Sequence, residues 1–155
     1  MEKYEKLIRE VTKEVKVVEC DIKSILGDTG YYRDGVIYIE KTLPTKKKTE
    51  RLYEEYSHHK TTVGIILDQT NGNNRKQEQK ARTFGQTLAI TLEVILECYK
   101  SGIKYYWECA EYLGLSEDFV RSAIQQLQNK FGQTAQHGDY IIHFVPETRI
   151  EIECN

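Results

Sequence analysis

Residues 50–60 read ERLYEEYSHHK, and this stretch decides the fold. It contains neither proline nor glycine, so nothing inside it breaks a helix. Leu52 and Tyr56 are separated by one helical turn, which places both side chains on one face where they can pack against a core. The stretch therefore predicts a helix at the centre of the chain with one buried face.

The same helix predicts a candidate metal site. Glu54 and His58 are also one turn apart, so both side chains lie on one face and can bind one ion. Glu55 follows about 100° round the helix, from where its carboxylate could reach a metal-bound water. The pattern is that of the H-E-x-x-H helix of zinc peptidases with Glu54 in place of the first histidine. Glutamate and histidine also recur at this spacing on ordinary solvated helices, so the motif alone leaves both interpretations open.

Composition and charge narrow the class of protein. The chain has 155 residues, a net charge of -2 and 39% hydrophobic residues, which fits one soluble domain with a real core. A nearly neutral chain offers no electrostatic case for binding nucleic acid or an anionic membrane. No apolar stretch could span a bilayer and no signal peptide opens the sequence, so we expect a cytoplasmic protein. Its four cysteines lack metal-site spacing, and we expect reduced, packed thiols rather than a zinc site.

The N-terminal third predicts a helix and then a hairpin. Residues 2–16 carry an apolar stripe at helical spacing, which indicates an amphipathic helix. Further on, Asp34-Gly35 is a two-residue turn sequence, because both residues tolerate positive φ. Tyrosine, valine and isoleucine on either side predict strands at 30–33 and 36–40. We therefore expect a small antiparallel sheet just before the central helix.

The second half of the chain predicts further helices and a second hairpin. Helices are expected from Asn73 or Asn74, from Thr91, over 104–113 and over 117–130. The last two are spaced like a helix-turn-helix, but the second of them carries as many acidic as basic residues, which disfavours DNA binding. A terminal hairpin is expected around Pro146. The predicted fold class is therefore α+β and mainly helical.

Taken in order, several of these segments resemble the ImmA/IrrE family of small metallopeptidases from phages and mobile elements. They are a Gly-Tyr-Tyr hairpin ending in VIYI at 36–39, LYEEYSHH at 52–59, TTVG at 61–64, NRKQE at 74–78 with Ala81 and Phe84 after it, and AEYL at 110–113. Together they extend over roughly two thirds of the chain. Their shared order and spacing are more specific than any one of them.

The resemblance implies a fold and a domain organisation. The fold would be a zincin-like minimal metallopeptidase, mainly helical, with a small antiparallel sheet and a C-terminal helical pair plus hairpin. The chain 1–155 would be a single ImmA/IrrE-like peptidase domain. Its metallopeptidase core would take 1–102, the helix-turn-helix-like pair 103–132, and the terminal hairpin 133–155.

The resemblance also implies roles for individual residues. Zinc would be bound by Glu54, His58 and Glu78, and Glu55 would act as the general base. His59 lies one turn after Glu55 and could hold that carboxylate in place, or it could equally be a surface histidine. These assignments follow from matching positions in the family's motif.

The expected substrate is a protein segment, and the expected partner is a repressor-like protein. Members of the family typically cleave or inactivate a transcriptional repressor, which derepresses a mobile element or stress genes. We expect the substrate to add as an extended strand beside Val36, Ile37, Tyr38 and Ile39. No direct contact with nucleic acid or a membrane is expected.

Glu54 is the position at which this chain departs from the family's pattern. Glutamate, histidine and glutamate can bind zinc, but two carboxylates offset the whole +2 charge and leave the metal a poorer Lewis acid. An oxygen-rich ligand set also accepts other divalent metals. Two functions therefore stay open: a metal-dependent endopeptidase, and a non-catalytic module that neutralises a repressor by contact.

Overall fold

Helices and two small sheets build the part of the chain that the computed structural model describes, which is residues 3–63, 74–144 and 148–154. For residues 62–63 and 74–78 the backbone alone is described. The helices are α1 Lys3–Val11, α2 Lys23–Leu26, α3 Thr45–Val63, α4 Asn74–Ala89, α5 Leu92–Lys100, α6 Tyr106–Leu113 and α7 Glu117–Phe131. The strands are β1 Lys16–Cys20, β2 Gly30–Arg33, β3 Val36–Glu40, β4 Thr134–His137, β5 Tyr140–His143 and β6 Glu151–Cys154. Helices dominate, so the predicted α+β class is confirmed.

The chain divides into two compact units, Met1–Gly85 and Gln86–Asn155, with the boundary inside α4. The first unit contains the sheet of β1 to β3 and the central helix α3, and the second contains α5 to α7 and the sheet of β4 to β6. The assignment of residues 1–155 to one peptidase domain stays a prediction. Among the helices described in both units, none is long and apolar enough to cross a bilayer.

The first sheet has the strand order β1-β3-β2. Its hairpin forms at the predicted residues, because Asp34 and Gly35 adopt the positive φ that the tight turn requires, 49° and 79°. On the other side of β3, β1 pairs in parallel, with Val17 opposite Ile37. The sheet is therefore mixed rather than purely antiparallel, and β3 is its central strand.

The core of the first unit lies between this sheet, α1 and α3. Val11, Val15, Ile37, Ile39 and Leu52 are all buried in one cluster. The predicted helix over 2–16 is too long, because α1 ends at Val11 and a turn leads directly into β1. The β-branched run that begins at Val15 explains the change, since such residues favour a pleated strand over a helix.

A buried carboxylate, Glu40, fastens the end of β3 to the start of α2. One carboxylate oxygen accepts hydrogen bonds from the backbone N–H groups of Ile22 and Lys23, at 3.0 Å and 2.9 Å. The other accepts from the backbone N–H of Thr42 and from its hydroxyl, at 3.1 Å and 2.8 Å. These hydrogen bonds favour the ionised form and lower the pKa of Glu40 to about 2. The carboxylate thereby fixes the loop that precedes β2.

The helices of the second unit lie close to the predicted bounds, although α6 begins at Tyr106 and not at 104, and α7 ends at Phe131 and not at 130. Thr91 accepts a hydrogen bond from Val94 N–H at the start of α5, and Ser116 accepts one from Phe119 N–H at the start of α7, both at 3.2 Å. Gly114 ends α6 in the left-handed conformation, with a φ of 71°. Short polar side chains and glycine thus set these boundaries locally.

The second sheet has one more strand than the predicted terminal hairpin. β5 pairs with β4 on one side and β6 on the other, in the order β4-β5-β6. The prediction missed β4 because its sequence, TAQH, has no apolar alternation. Pro146, around which the hairpin was expected, lies outside the described residues.

Two of the cysteines lie side by side in the second unit. The sulfur atoms of Cys98 and Cys109 are 3.2 Å apart, and both residues are buried. Their mutual hydrogen bond and burial raise the pKa of the Cys109 thiol, which keeps it protonated near neutral pH. This pair fits the expected role of packed, reduced thiols.

Glu40→Gln should destabilise the first unit, because an amide nitrogen would face the N–H donors that the carboxylate now accepts from. The folded pKa of Glu40, about 2, lies below the ordinary value of 4.5. The stabilisation is therefore fully present above pH 4.5 and is lost as the pH falls through about 2. Urea unfolding of both proteins at about pH 7 and about pH 3 should show the difference narrowing at the lower pH. An equal difference at both pH values would contradict this, and Glu5→Gln, at an exposed position on α1, is the control.

Candidate metal centre

One side of α3 carries the polar residues of the candidate site. Glu54 and Glu55 lie three and four residues after Arg51, and His58 lies four and three residues after them, so consecutive helical turns bring the four side chains together. A neighbouring side of the helix carries Leu52, which is fully buried in the core of the first unit. The helix is thus fixed by its apolar face while its polar face builds the site.

Glu54, Glu55 and His58 form a group that could hold a metal ion. Each offers one ligand atom, and these atoms all lie within 4.8 Å of one another. Both glutamates are buried, and the histidine is half-buried. Carboxylate oxygens and an imidazole nitrogen are accepted ligands of zinc and of several other divalent ions. The chemistry of this donor set therefore fits a divalent cation.

The structure places the predicted site residues only in part. It brings Glu54 and His58 together and adds Glu55, for which a role as general base is predicted, to the same group. Glu78, the third predicted ligand, belongs to α4, but its side chain lies outside the described part of the chain. Its role as a ligand stays a prediction.

Arg51 was absent from the sequence-based predictions, and it contacts both carboxylates of the group. Its Nη1 lies 3.1 Å from Glu54 Oε2, and its Nη2 lies 3.2 Å from Glu55 Oε1. All three side chains are largely enclosed, with exposed fractions of 18%, 8% and 4%. A guanidinium this close offsets part of the negative charge of the two buried carboxylates. Its position three and four residues before the two glutamates is the feature of the sequence from which these ion pairs could have been predicted.

Gly30 provides the space in which the Arg51 guanidinium lies. The backbone carbonyl of Gly30 accepts a hydrogen bond from Arg51 Nη2 at 3.1 Å. A Cβ atom added at Gly30 would lie 2.6 Å from Arg51 Nε and 2.7 Å from Nη2, closer than such atoms can approach. The first residue of β2 must therefore be glycine if Arg51 is to keep this position.

His59 is directed to β2 instead of toward Glu55. Its Nδ1 lies 3.0 Å from the hydroxyl of Tyr32, and its ring stacks on Tyr56 with 6.3 Å between the ring centroids. The residue is buried. Among the described contacts, its hydrogen-bond partner is thus a tyrosine of the sheet, which fastens α3 to β2.

The second helix of the candidate site approaches α3 closely. Ser57 is fully buried, and its hydroxyl lies 2.8 Å from the carbonyl oxygen of Ala81 in α4. A Cβ atom added at Gly85 would lie 3.1 Å from the backbone of Tyr53 and Glu54. Small residues at these positions let the two backbones approach, which places Gly85 beside the turn that carries the glutamates and Ala81 beside the next turn of α3.

The sheet order corrects the predicted position of the substrate. β3 pairs with both β1 and β2, so no segment can add beside Val36–Ile39. In the described residues, β2 pairs on one side only. Glu40 N–H donates to Thr29 C=O, so Thr29 directs its backbone groups toward β3. In an antiparallel pair, successive residues direct their N–H and C=O groups alternately toward the partner strand and away from it. Gly30 and Tyr32 therefore direct theirs to the open side of β2. An added strand would therefore have to use the edge of β2 or of β1.

A scan against protein families matches residues 12–125 to Peptidase_M78, described as the IrrE N-terminal-like domain. No curated protein and no solved structure matches the chain. The matched region begins just before β1 and ends inside α7, so it includes α3 with all four polar residues and the whole of α4. The chain carries a metallopeptidase-like domain and belongs to the Peptidase_M78 family of IrrE N-terminal-like domains.

Proposed function

We propose that the chain is a metal-dependent endopeptidase that cleaves a repressor-like protein of a phage or mobile element, with zinc as the first metal to test. The observation that carries the proposal is the group of Glu54, Glu55 and His58, whose ligand atoms lie within 4.8 Å of one another. The metal and the partner are expectations from the family resemblance, as is a cytoplasmic location.

The roles of these residues are taken from their positions in the family's motif, and their chemistry is compatible with them. Glu54 and His58 would hold the metal, and Glu78 would complete the ligand set from α4. When bound, the metal would supply Lewis acidity for peptide hydrolysis. Glu55 would take the proton of the attacking water and donate it to the leaving amine. Burial of the carboxylates would strengthen these electrostatic contacts relative to bulk water.

The substrate segment would bind at the open side of β2. The outward backbone groups of Tyr32 can pair with an extended peptide, as in other cases of strand addition, and the carbonyl of Gly30 could join them if Arg51 released it. Gly30 also contacts Arg51, which contacts Glu55, so this edge lies next to the proposed base. The exposed aromatic ring of Tyr31 offers a surface for a side chain of that segment.

A second candidate function is supported by Arg51. The guanidinium contacts both carboxylates, which neutralises much of their charge without a metal. A protein of this kind could keep the shape of the peptidase and inactivate its repressor by contact alone. Metal content and cleavage of the partner distinguish the two functions.

Glu55→Gln should abolish cleavage and leave partner binding intact. A general base contributes on the order of 10²–10⁴ to the rate, and an amide cannot accept the proton. The test incubates each protein with candidate repressor-like proteins from neighbouring reading frames and follows fragments by mass spectrometry and binding by calorimetry. Cleavage by the variant at the wild-type rate would show that Glu55 is not the base.

Glu54→Gln should weaken zinc binding at least about tenfold, because an amide oxygen is a poorer ligand than a carboxylate. Zinc affinity is measured by competition with a chelating indicator, and bound metal is counted by mass spectrometry. Glu50→Gln is the control, since Glu50 lies on the same helix and pairs with Lys47 at 3.3 Å, outside the metal group. A wild-type protein that binds no zinc yet still disables its partner would favour the non-catalytic function.

A further inference from the structure

We propose that Arg51 is a built-in counter-cation of the metal group, whose guanidinium holds Glu54 and Glu55 until a divalent cation displaces it. The inference rests on the proposed metal-dependent function and adds a residue that sets the metal affinity of the site. Three observations support it: the contacts of Arg51 with both carboxylates, the space left by Gly30, and a third carboxylate, Asp28, beside the guanidinium.

The contacts show that a metal ion and Arg51 would compete for the same groups. The two distances, 3.1 Å to Glu54 Oε2 and 3.2 Å to Glu55 Oε1, are those of charge-assisted hydrogen bonds. A divalent ion bound by Glu54 and His58 would approach the Glu54 carboxylate to about 2.0–2.2 Å and would lie close to Glu55, the proposed base. The ion and the guanidinium would then be like charges a few ångströms apart in a largely enclosed site, where repulsion is strong. Metal binding therefore opposes the present position of Arg51.

The space around the guanidinium indicates a site shaped for it. Gly30 leaves the volume of a missing Cβ to Arg51 Nε and Nη2, and its carbonyl binds Nη2. A surface ion pair that formed by chance would have neither feature. The planar guanidinium also contacts both glutamates through different nitrogens, which a lysine could not reproduce.

Asp28 gives the displaced guanidinium a place to go. Its Oδ1 already lies 3.5 Å from Arg51 Nη2, and its side chain is 60% exposed. A small movement of the arginine away from the two buried carboxylates would therefore exchange them for an exposed one. The same movement would release the carbonyl of Gly30 at the open side of β2, where the substrate segment is proposed to bind.

Two variants remove the competitor in different ways. Arg51→Gln removes the positive charge, and Gly30→Ala pushes the guanidinium aside with a Cβ atom while every charge is kept. Gly30→Ala keeps the net charge, so a tighter binding in this variant cannot be a general effect of charge. It also keeps the inference testable if Arg51→Gln fails to fold, since that variant leaves two buried carboxylates without Arg51. Arg33→Gln is the matched control, because it removes one positive charge from β2, the strand that also carries Gly30. Arg33 is 72% exposed and pairs with Asp34, outside the metal group.

The test titrates each protein with zinc alone, using a chelating indicator, and records the rise in unfolding temperature on zinc addition. Arg51→Gln and Gly30→Ala should each bind zinc at least about tenfold more tightly than the wild type. In both variants the carboxylates are already free of the guanidinium, so a larger fraction of the protein is ready to bind the ion and the apparent affinity rises. Their unfolding temperatures should rise more on zinc addition than those of the wild type and Arg33→Gln.

Each outcome bears on the inference in a defined way. Equal zinc affinity in all four proteins would overturn it and leave the metal-dependent function standing, with Arg51 as a structural ion pair. Weaker binding by Gly30→Ala would overturn it too, because Arg51 would then support the ligands. Zinc binding by none of the four would overturn both the inference and the metal-dependent function, whereas binding by the two variants alone would support the inference and favour the non-catalytic function for the natural chain.

Discussion

Two carboxylates buried on one turn of a helix require positive charge within contact distance, and the first unit is arranged around this requirement. Glu54 and Glu55 point from α3 into a largely enclosed region, where isolated negative charges are strongly unfavourable. Arg51 supplies the charge from the preceding turn. Its position depends on the glycine that opens β2, so the hairpin, the helix and the ion pair specify one another.

The charge requirement also explains how one scaffold can support two activities. With Arg51 against the glutamates, the fold has a positive charge of its own in the site. The buried faces of α3 are held separately, by Leu52 in the core and by Ser57 against α4. The packing of α3 therefore rests on residues outside the metal group, and the charge of the group rests on Arg51.

Local signals in the sequence predicted much of this structure. The turn at Asp34-Gly35 and the caps at Thr91 and Ser116 depend on neighbouring residues, and their strand and helix boundaries agree with the structure. The parallel pairing of β1 with β3 could not be read from the sequence, because it joins residues about twenty positions apart. The same holds for the space at Gly30, since a glycine at the start of a strand gives no sign of which side chain will occupy the missing volume. Within the site, helical spacing sufficed to place Glu54, Glu55 and His58 together, whereas Glu78 depends on a side chain outside the described residues.

The contact between Arg51 and the Gly30 carbonyl has a further consequence for the solubility of the protein. An edge strand with unsatisfied backbone groups is a template for pairing with other chains, which leads to aggregation. In the described part of the first sheet, β2 is such a strand, and Arg51 occupies one of its outward carbonyls while the charged side chain of Arg33 projects at its far end. The arginine that contacts both carboxylates of the site thus also occupies one of the backbone acceptors through which an exposed sheet edge could pair with a neighbouring molecule.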